Sequence, residues 1–446
     1  MLSLYLLKYC KFKEMIVEFS VKNFRSINDI QTLSFVATGL KSPDKYSYID
    51  TNNVFIKKET TLFNTIGVYG ANASGKSNII KGIDYFIKAI VSQPSSVSNL
   101  GSLCQPFLYQ ENSEETESFF QIVMIIKDTK YRYGFTVKKN LDNKNINPDY
   151  SNEIVTNEWL YADKGKNMSP LFVRSGSKLE KNNLQNKNKI PQSIPFKHTL
   201  FLTHASAFDL NGDCKLITDF LRGFVTSNFE MSHDKFRWMS IRHLNDNAKL
   251  KEKFINLLST FNLKYSDINL DKDIEINHKN VFPQEKIILS KDYKFEDKST
   301  TINLNLKFHE SSGTQKMFDL AGLLLLTFGM PQSAFIILDE IDSNFHPALL
   351  IKFIELFNNP KINRSNSQLL FTSHDTNLMT PSIMRRDQFY FTEKREDNST
   401  RLYSLANLKG IRNDADFAKQ YLAGYYGALP LLENYYSQDI DNDGEE

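Results

Sequence analysis

The sequence predicts an α/β fold: a mixed sheet flanked by helices, with a mainly helical subdomain inserted into it. Three observations carry this. A strand-like run at 63–69 (FNTIGVY) leads directly into a glycine-containing loop at 70–77 and then into a helix. A short apolar run at 334–338 (AFIIL) ends in two acids, and another at 368–372 (QLLFT) follows it after a helical stretch. Such alternation of strand and helix implies parallel pairing in a sheet covered on both faces.

The elements follow in order along the chain. Met15 opens a run, 15–36, that alternates apolar and polar residues and reads as strands joined by a turn. Residues 1–14 before it are expected to be an extension outside the fold. After the glycine loop, Ile79, Ile80, Ile83, Phe86, Ile87 and Ile90 recur at helical spacing and form one apolar face. Residues 119–126 and 131–137 read as a hairpin around Asp128 and Thr129. Lys, Asn, Gln and Ser dominate 174–197, which reads as a solvated loop, with a basic nucleic-acid contact as the second reading. From 216 to 262 the pattern is helical but sustains no heptad repeat, which excludes a long coiled-coil arm. Residues 317–328 and 349–357 read as apolar helices. The expected division is an N-terminal part of the lobe at 15–140, an insert at 141–300, a C-terminal part at 301–430 and an acidic tail at 431–446. Within that tail, Asp439 to Gly444 begins like a calcium loop but lacks the closing bidentate glutamate.

Composition narrows the function classes. The chain has 446 residues, 41% of them hydrophobic, enough for a large core spread over two or three lobes. A formal charge of +2 gives no global basic field for nucleic acid or anionic membrane. The apolar run 320–328 is too short to span a bilayer, and the N-terminal block lacks the order of a secretory signal. Cys10, Cys104 and Cys214 show neither metal nor disulfide spacing. A cytoplasmic protein without a membrane partner is the expectation.

Gly70-Ala71-Asn72-Ala73-Ser74-Gly75-Lys76-Ser77 fits the phosphate-binding pattern G-x-x-x-x-G-K-[ST] throughout. Its glycines let backbone N–H groups close around phosphate oxygens, and the helix that follows points its positive end at them. Lys76 is expected to reach the β- and γ-phosphates of ATP, and Ser77 to hold Mg²⁺. Asp339 and Glu340 end the apolar strand, where ligands lie in sheets of this kind. Asp339 would take the Mg²⁺ hydration shell, and Glu340 would orient or deprotonate the attacking water. Ser311-Ser312-Gly313-Thr314-Gln315 opens the apolar helix, and Ser312 lies 27 positions before Asp339. Its small residues and exposed N–H groups make either an anion site or a plain helix cap. Thr372-Ser373-His374-Asp375 ends the next strand, where His374 can donate to a γ-phosphate or hold the attacking water.

With these residues the sequence resembles the ABC-type ATPases of the SMC/RecF-like branch. The resemblance rests on Asn23-Phe24-Arg25-Ser26, the loop with Asn72, Ala73, Ser74, Gly75 and Asn78, the S-x-G-x-Q at 311–315, and the Asp339-Glu340 pair. Asp342 and Ser343 match its D-loop, Asn344 to Pro347 the segment after it, and His374 its H-loop; the Q-loop stays open between Gln105 and Gln121. Thr314 stands where many relatives carry glycine. The resemblance implies that Arg25 contacts nucleotide and that two copies close head to tail. Ser312 and Gly313 of one copy would then complete the ATP site of the other, in a homodimer or higher homo-oligomer, with Asp342 also at the nucleotide. More narrowly, Glu158-Trp159-Leu160-Tyr161 and Gly424 to Pro430 are similar to the standalone ATPases of the RloA/abortive-infection group. That implies a regulatory or sensor ATPase in a bacterial anti-phage module with a separate effector protein; too little chain follows Pro430 for a nuclease domain to be expected there. A RecF-like DNA clamp acting in repair is the alternative.

Overall fold

The computed structural model describes residues 14–92, 94, 97–140, 153–165, 167–228, 233–246, 248–271, 286–295, 298–343 and 345–430. Almost all of the expected extension at 1–14, the acidic tail with its calcium-like run, and Asn344 lie outside the described residues.

Two sheets carry the lobe. The first is antiparallel and has seven strands: β1 (Met15–Lys22), β2 (Gln31–Ser34), β6 (Ser118–Ile126), β7 (Thr129–Lys139), β8 (Glu153–Asp163), β9 (Met168–Ser175) and β10 (Lys178–Asn182). Their spatial order is β10-β9-β8-β7-β6-β1-β2. The second has six strands, built on β5 (Thr65–Gly70), β11 (Val225–Asn228), β15 (Phe335–Asp339), β16 (Gln368–Thr372), β17 (Phe389–Lys394) and β18 (Thr400–Ser404), in the order β11-β15-β16-β5-β17-β18. Every pair in it is parallel except β17 with β18, which makes the sheet mixed. A small hairpin, β3 (Val54–Lys57) with β4 (Thr60–Phe63), and a three-stranded sheet of β12 (Asp267–Leu270), β13 (Ile287–Phe295) and β14 (Lys298–Asn305) complete the strands.

The six-stranded sheet is buried on both faces, as parallel sheets are. Alternate residues of β15 enter two separate cores, Phe335 and Ile337 one, Ile336 and Leu338 the other. Helix α1 (Lys76–Val91) lies in the first core, between the two sheets, where Phe86 stacks on Phe135 at 5.1 Å and meets Phe19 edge-on. Ile79, Ile80, Ile83, Phe86, Ile87 and Ile90 are all buried, as their helical spacing predicts. The later helices α6 (Ser312–Gly329) and α7 (Pro347–Asn358) contribute to the second core. The predicted hairpin is β6–β7, and its two turn residues are Lys127 and Asp128 at φ 48° and 62°. That is the left-handed pair a two-residue hairpin favours.

The span 141–300 contributes strands as well as helices. Its helices are α2 (Phe201–Ser206), α3 (Asp213–Arg222), α4 (His233–Asp246) and α5 (Ala248–Thr260). Its first strands, β8 to β10, extend the antiparallel sheet of the lobe itself, so this half of the span is continuous with the lobe. The expected loop at 174–197 contains the edge strand β10, and only one of that strand's faces needs to be apolar. Arg174, the first residue of the range expected to be a solvated loop, is 1% exposed.

Arg174 belongs to a buried hub. Its Nη1 donates to Glu158 Oε2 at 3.0 Å and to the carbonyl of Thr199 at 2.6 Å. Glu158 also accepts from the backbone N–H groups of Phe201 and Leu202, at 2.6 and 2.8 Å, and from the Tyr133 hydroxyl at 3.1 Å. The carboxylate thus caps the start of α2 and ties β7, β8 and β9 to it. A second buried pair, Arg237 with Asp319, joins α4 to α6, where Gly322 packs on Ser240 so closely that an added Cβ would lie 2.2 Å from its N.

Removing one member of such a pair strands the other charge. Glu158→Ala is expected to cost about 3–5 kcal/mol of stability, read as a lower guanidinium midpoint with nucleotide binding retained. An unchanged midpoint would contradict the hub.

Candidate functional site

β5 delivers Gly70 to the carboxyl end of the sheet, between β16 and β17. The loop then turns through Asn72 and Ala73, both exposed, with Ala73 at φ 61°. Ser74, Gly75 and Lys76 are buried, while Ser77 and Asn78 are half-buried at the start of α1. Gly75 has φ 109°, and a Cβ on it would lie 2.1 Å from Thr400 Oγ1, so the position requires glycine. No side chain caps the first turn of α1. The Asn78 N–H donates to the Gly75 carbonyl at 3.0 Å, which leaves the N–H groups of Lys76 and Ser77 to face an anion.

The loop is braced from the β17–β18 hairpin. Ser74 Oγ pairs with Thr392 Oγ1 at 2.6 Å, and Thr400 Oγ1 donates to the carbonyl of Ser74 at 2.9 Å. Ser26 Oγ lies 2.7 Å from Thr400 Oγ1 and accepts from Asn78 Nδ2 at 2.7 Å. Asn78, expected at the nucleotide, thus ties the helix to the Asn23–Ser26 segment. Arg25 sits beside it at φ 54°, its guanidinium 5.6 Å from the Tyr85 ring, with a buried Nε that has no hydrogen-bond partner. The backbone N–H of Arg25 donates to the carbonyl of Gln105 at 2.6 Å. Gln121 lies within β6, its side chain accepting from Trp159. Of the two Q-loop candidates, Gln105 is therefore the one bonded to the Arg25 turn. The Gly424–Pro430 segment also reaches the loop, because Ala71 N–H donates to the carbonyl of Ala428 at 2.9 Å.

Lys76 is 5% exposed, and its Nζ donates to the carbonyls of Gly70 and Ala71 at 2.8 and 2.9 Å. Burial pushes its pKa down to about 8, against the opposing pull of Asp339, Glu340 and Asp342. Those three carboxylates come from the end of β15. Asp339 is 3% exposed and accepts from Thr372 Oγ1 at 2.5 Å; Glu340 is half-buried at φ 52°. Asp342 Oδ2 accepts from the backbone N–H of His374 at 3.2 Å, while Oδ1 is buried without a partner. Burial and then the Lys76 charge hold the His374 imidazole below its usual pKa, with the three carboxylates opposing. It is a neutral ring at pH 7, able to accept or donate.

Ser312 and Gly313 stand apart from this group in their bonding. Ser311 caps α6, accepting from the N–H of Thr314 at 3.2 Å, so the cap reading holds for that residue. Ser312 is exposed, and among the described residues neither it nor Gly313 hydrogen-bonds to the Lys76 group. The link between the two regions is Lys316, whose Nζ donates to Ser343 Oγ and its carbonyl at 2.8 and 2.9 Å. His346 caps α7, its Nδ1 accepting from Ala348 N–H at 3.2 Å, ahead of Pro347.

The donor set fits a hard cation and a phosphate chain. Ser77 and Asp339 offer oxygen ligands only, which suits Mg²⁺. Lys76, the open turn of α1 and the unpartnered Nε of Arg25 offer positive groups. The residues missed by motif reading are the threonines. Thr392 and Thr400 brace the loop from more than three hundred positions away, and no local pattern marks them. Thr372 stood within a motif already singled out for its histidine.

A family model described as "AAA domain, putative AbiEii toxin, Type IV TA system" matches residues 66–380, more than half of the chain, a span that includes Lys76, Asp339, Glu340 and His374. No curated protein matches the sequence. Among solved structures, the recombination mediator protein RecF with ATP, from the RecFOR pathway, aligns with 88% of this chain and 100% of its own. The identity is 13% and the TM-score 0.33. A second RecF structure, described with ATPrS, gives 12% identity and a TM-score of 0.30, covering 88% and 99% of the two chains. Among the described residues no helix is long and apolar enough to cross a membrane.

The buried lysine has a pH signature. The unfolded chain keeps this proton up to about 10.5 and the folded chain releases it from about 8, so the unfolded state binds more protons in between. Stability of the nucleotide-free protein, measured against Lys76→Met, is expected to rise with pH across that window. A constant difference between the two proteins would contradict a desolvated ammonium.

Proposed function

The chain belongs to the AAA-domain family described with the putative AbiEii toxin and type IV toxin–antitoxin systems, and from that premise we propose that it is an ATP-hydrolysing regulatory subunit of a bacterial anti-phage defence module. The observation that carries the enzymatic part is the gathering of Lys76, Asp339, Glu340 and His374 around one loop. Lys76 contacts the β- and γ-phosphates once it lets go of the Gly70 and Ala71 carbonyls. Glu340 orients the attacking water and accepts its proton; His374 donates to the γ-phosphate oxygens as the bond to ADP breaks. Ser77 and Asp339 would hold Mg²⁺, which neutralises phosphate charge when bound.

Two copies share the sites in this proposal. Ser312, exposed, and Gly313, half-buried, in the first turn of α6 suit the phosphates held by the other copy, and the unpartnered Oδ1 of Asp342 suits a contact across the same interface. The separate effector rests on the RloA-like markers; the family's description, which mentions a putative AbiEii toxin and a type IV TA system, supports only the defence setting. One of these markers, Glu158, is the buried hub; the other, Gly424 to Pro430, lies on the phosphate loop.

A RecF-like DNA clamp is the second reading. Lys178, Lys181, Lys187, Lys189 and Lys197 are exposed along one stretch, although Arg174 is withdrawn into its ion pair. Phosphate contacts of that kind weaken steeply with salt, so ATP-dependent, salt-sensitive duplex binding would favour the clamp.

Purified protein is expected to hydrolyse ATP and to cleave no nucleic acid. Lys76→Ala loses nucleotide binding, whereas Glu340→Gln keeps it and loses about 10²- to 10⁴-fold in turnover. Intrinsic nuclease activity that disappears in Glu340→Gln, or full turnover in that variant, would overturn the proposal.

A further inference from the structure

The turn after β15 is laid down on the end of β16. Glu340 N–H donates to Thr372 Oγ1 at 2.7 Å, and Ile341 N–H donates to the Thr372 carbonyl at 3.1 Å. His374 N–H then donates to Asp342 Oδ2 at 3.2 Å. Three consecutive residues, Glu340, Ile341 and Asp342, are thus bonded to the end of one neighbouring strand and the histidine that follows it. Glu340 also sits at φ 52°, a region that residues with a Cβ adopt rarely. The bonds on either side of it hold it there.

Thr372 contributes more than its backbone. Its side chain is fully buried, at a strand position where valine would pack as well and need no partner. A hydroxyl has one proton. Since the Glu340 amide already donates to Oγ1, the hydroxyl proton goes to Asp339 Oδ1, at 2.5 Å. One hydroxyl therefore fixes both acids: it turns the Asp339 carboxylate and anchors the Glu340 backbone. With Oδ1 committed, Oδ2 is the Asp339 oxygen left to face a cation.

We propose that Thr372 is a positioning residue of this site, its hydroxyl holding Asp339 and Glu340 in the arrangement that metal-bound nucleotide requires. The inference rests on the ATPase reading above and adds a residue to it. The buried hydroxyl is bonded to Asp339 and the Glu340 amide, so its effect must pass through the two acids.

The test compares wild type with Thr372→Val and with the pair Thr372→Ser and Thr372→Ala, which differ from each other only in the hydroxyl. Mn²⁺ affinity is measured by electron paramagnetic resonance with a non-hydrolysable ATP analogue, alongside nucleotide affinity in EDTA, kcat and the thermal midpoint. Losing an orienting partner of a metal-binding carboxylate is expected to weaken Mn²⁺ binding and kcat by about 10- to 100-fold in Val and Ala. Nucleotide affinity in EDTA stays at the wild-type value, and Ser recovers both losses. Wild-type Mn²⁺ affinity and kcat in Val or Ala would overturn the inference. So would equal impairment in Ser and Ala, which would assign the effect to packing. If Val does not fold, the Ser–Ala pair decides. A wild-type protein that hydrolyses no ATP removes the ATPase reading and this inference together, whereas an active wild type with an indifferent Ala variant removes the inference alone.

Discussion

A desolvated ammonium group at the carboxyl ends of parallel strands is the constraint around which the lobe is arranged. Lys76 has given up nearly all contact with water and recovers part of that loss from the Gly70 and Ala71 carbonyls and from three carboxylates. Such a group is costly unless its surroundings are held in place. The parallel ladder β15–β16–β5–β17 holds them. It brings the loop that carries the lysine, the acids of β15 and the histidine after β16 to the same edge. Lys76 Nζ rests on two backbone carbonyls, bonds that a phosphate chain would replace in the proposed function.

The precision of that edge comes from side chains that do no chemistry. Thr392 and Thr400 lock the backbone of the phosphate loop, and Thr372 links the two acids to the next strand. Farther away, the same logic fixes the insert. Glu158 caps α2 while pairing with Arg174, and Asp319 ties α4 to the helix that begins at Ser312. Buried charges of this kind add geometric definition more than stability. Here they tie the insert to β7 and to α6.

The candidate site was legible in the sequence because a phosphate-binding pattern demands particular residue types at particular spacings. The loop at 70–77, the acids at 339 and 340 and the histidine at 374 needed no structure to be found. The sheet around β5, β15 and β16 was legible for a related reason, since a strand buried on both faces reads as a continuous apolar run. The insert was harder. Strands β8 to β10 alternate with charged residues on the open face, and the Lys- and Asn-rich composition after 174 hides an edge strand. Arg174 looked exposed because its partner lies 16 positions upstream, on another strand. Thr392 and Thr400 could not be read at all, since only the folded sheet brings them to Ser74.

What most needs testing is that the Lys76 group is half of a site, completed by Ser312 and Gly313 of a second copy. The direct measurement is the solution mass of the Glu340→Gln protein, which should bind ATP without consuming it, with and without ATP and Mg²⁺. The account predicts a shift from monomer to dimer when both are added, and none with Mg²⁺ alone. A monomer that carries bound ATP would contradict it.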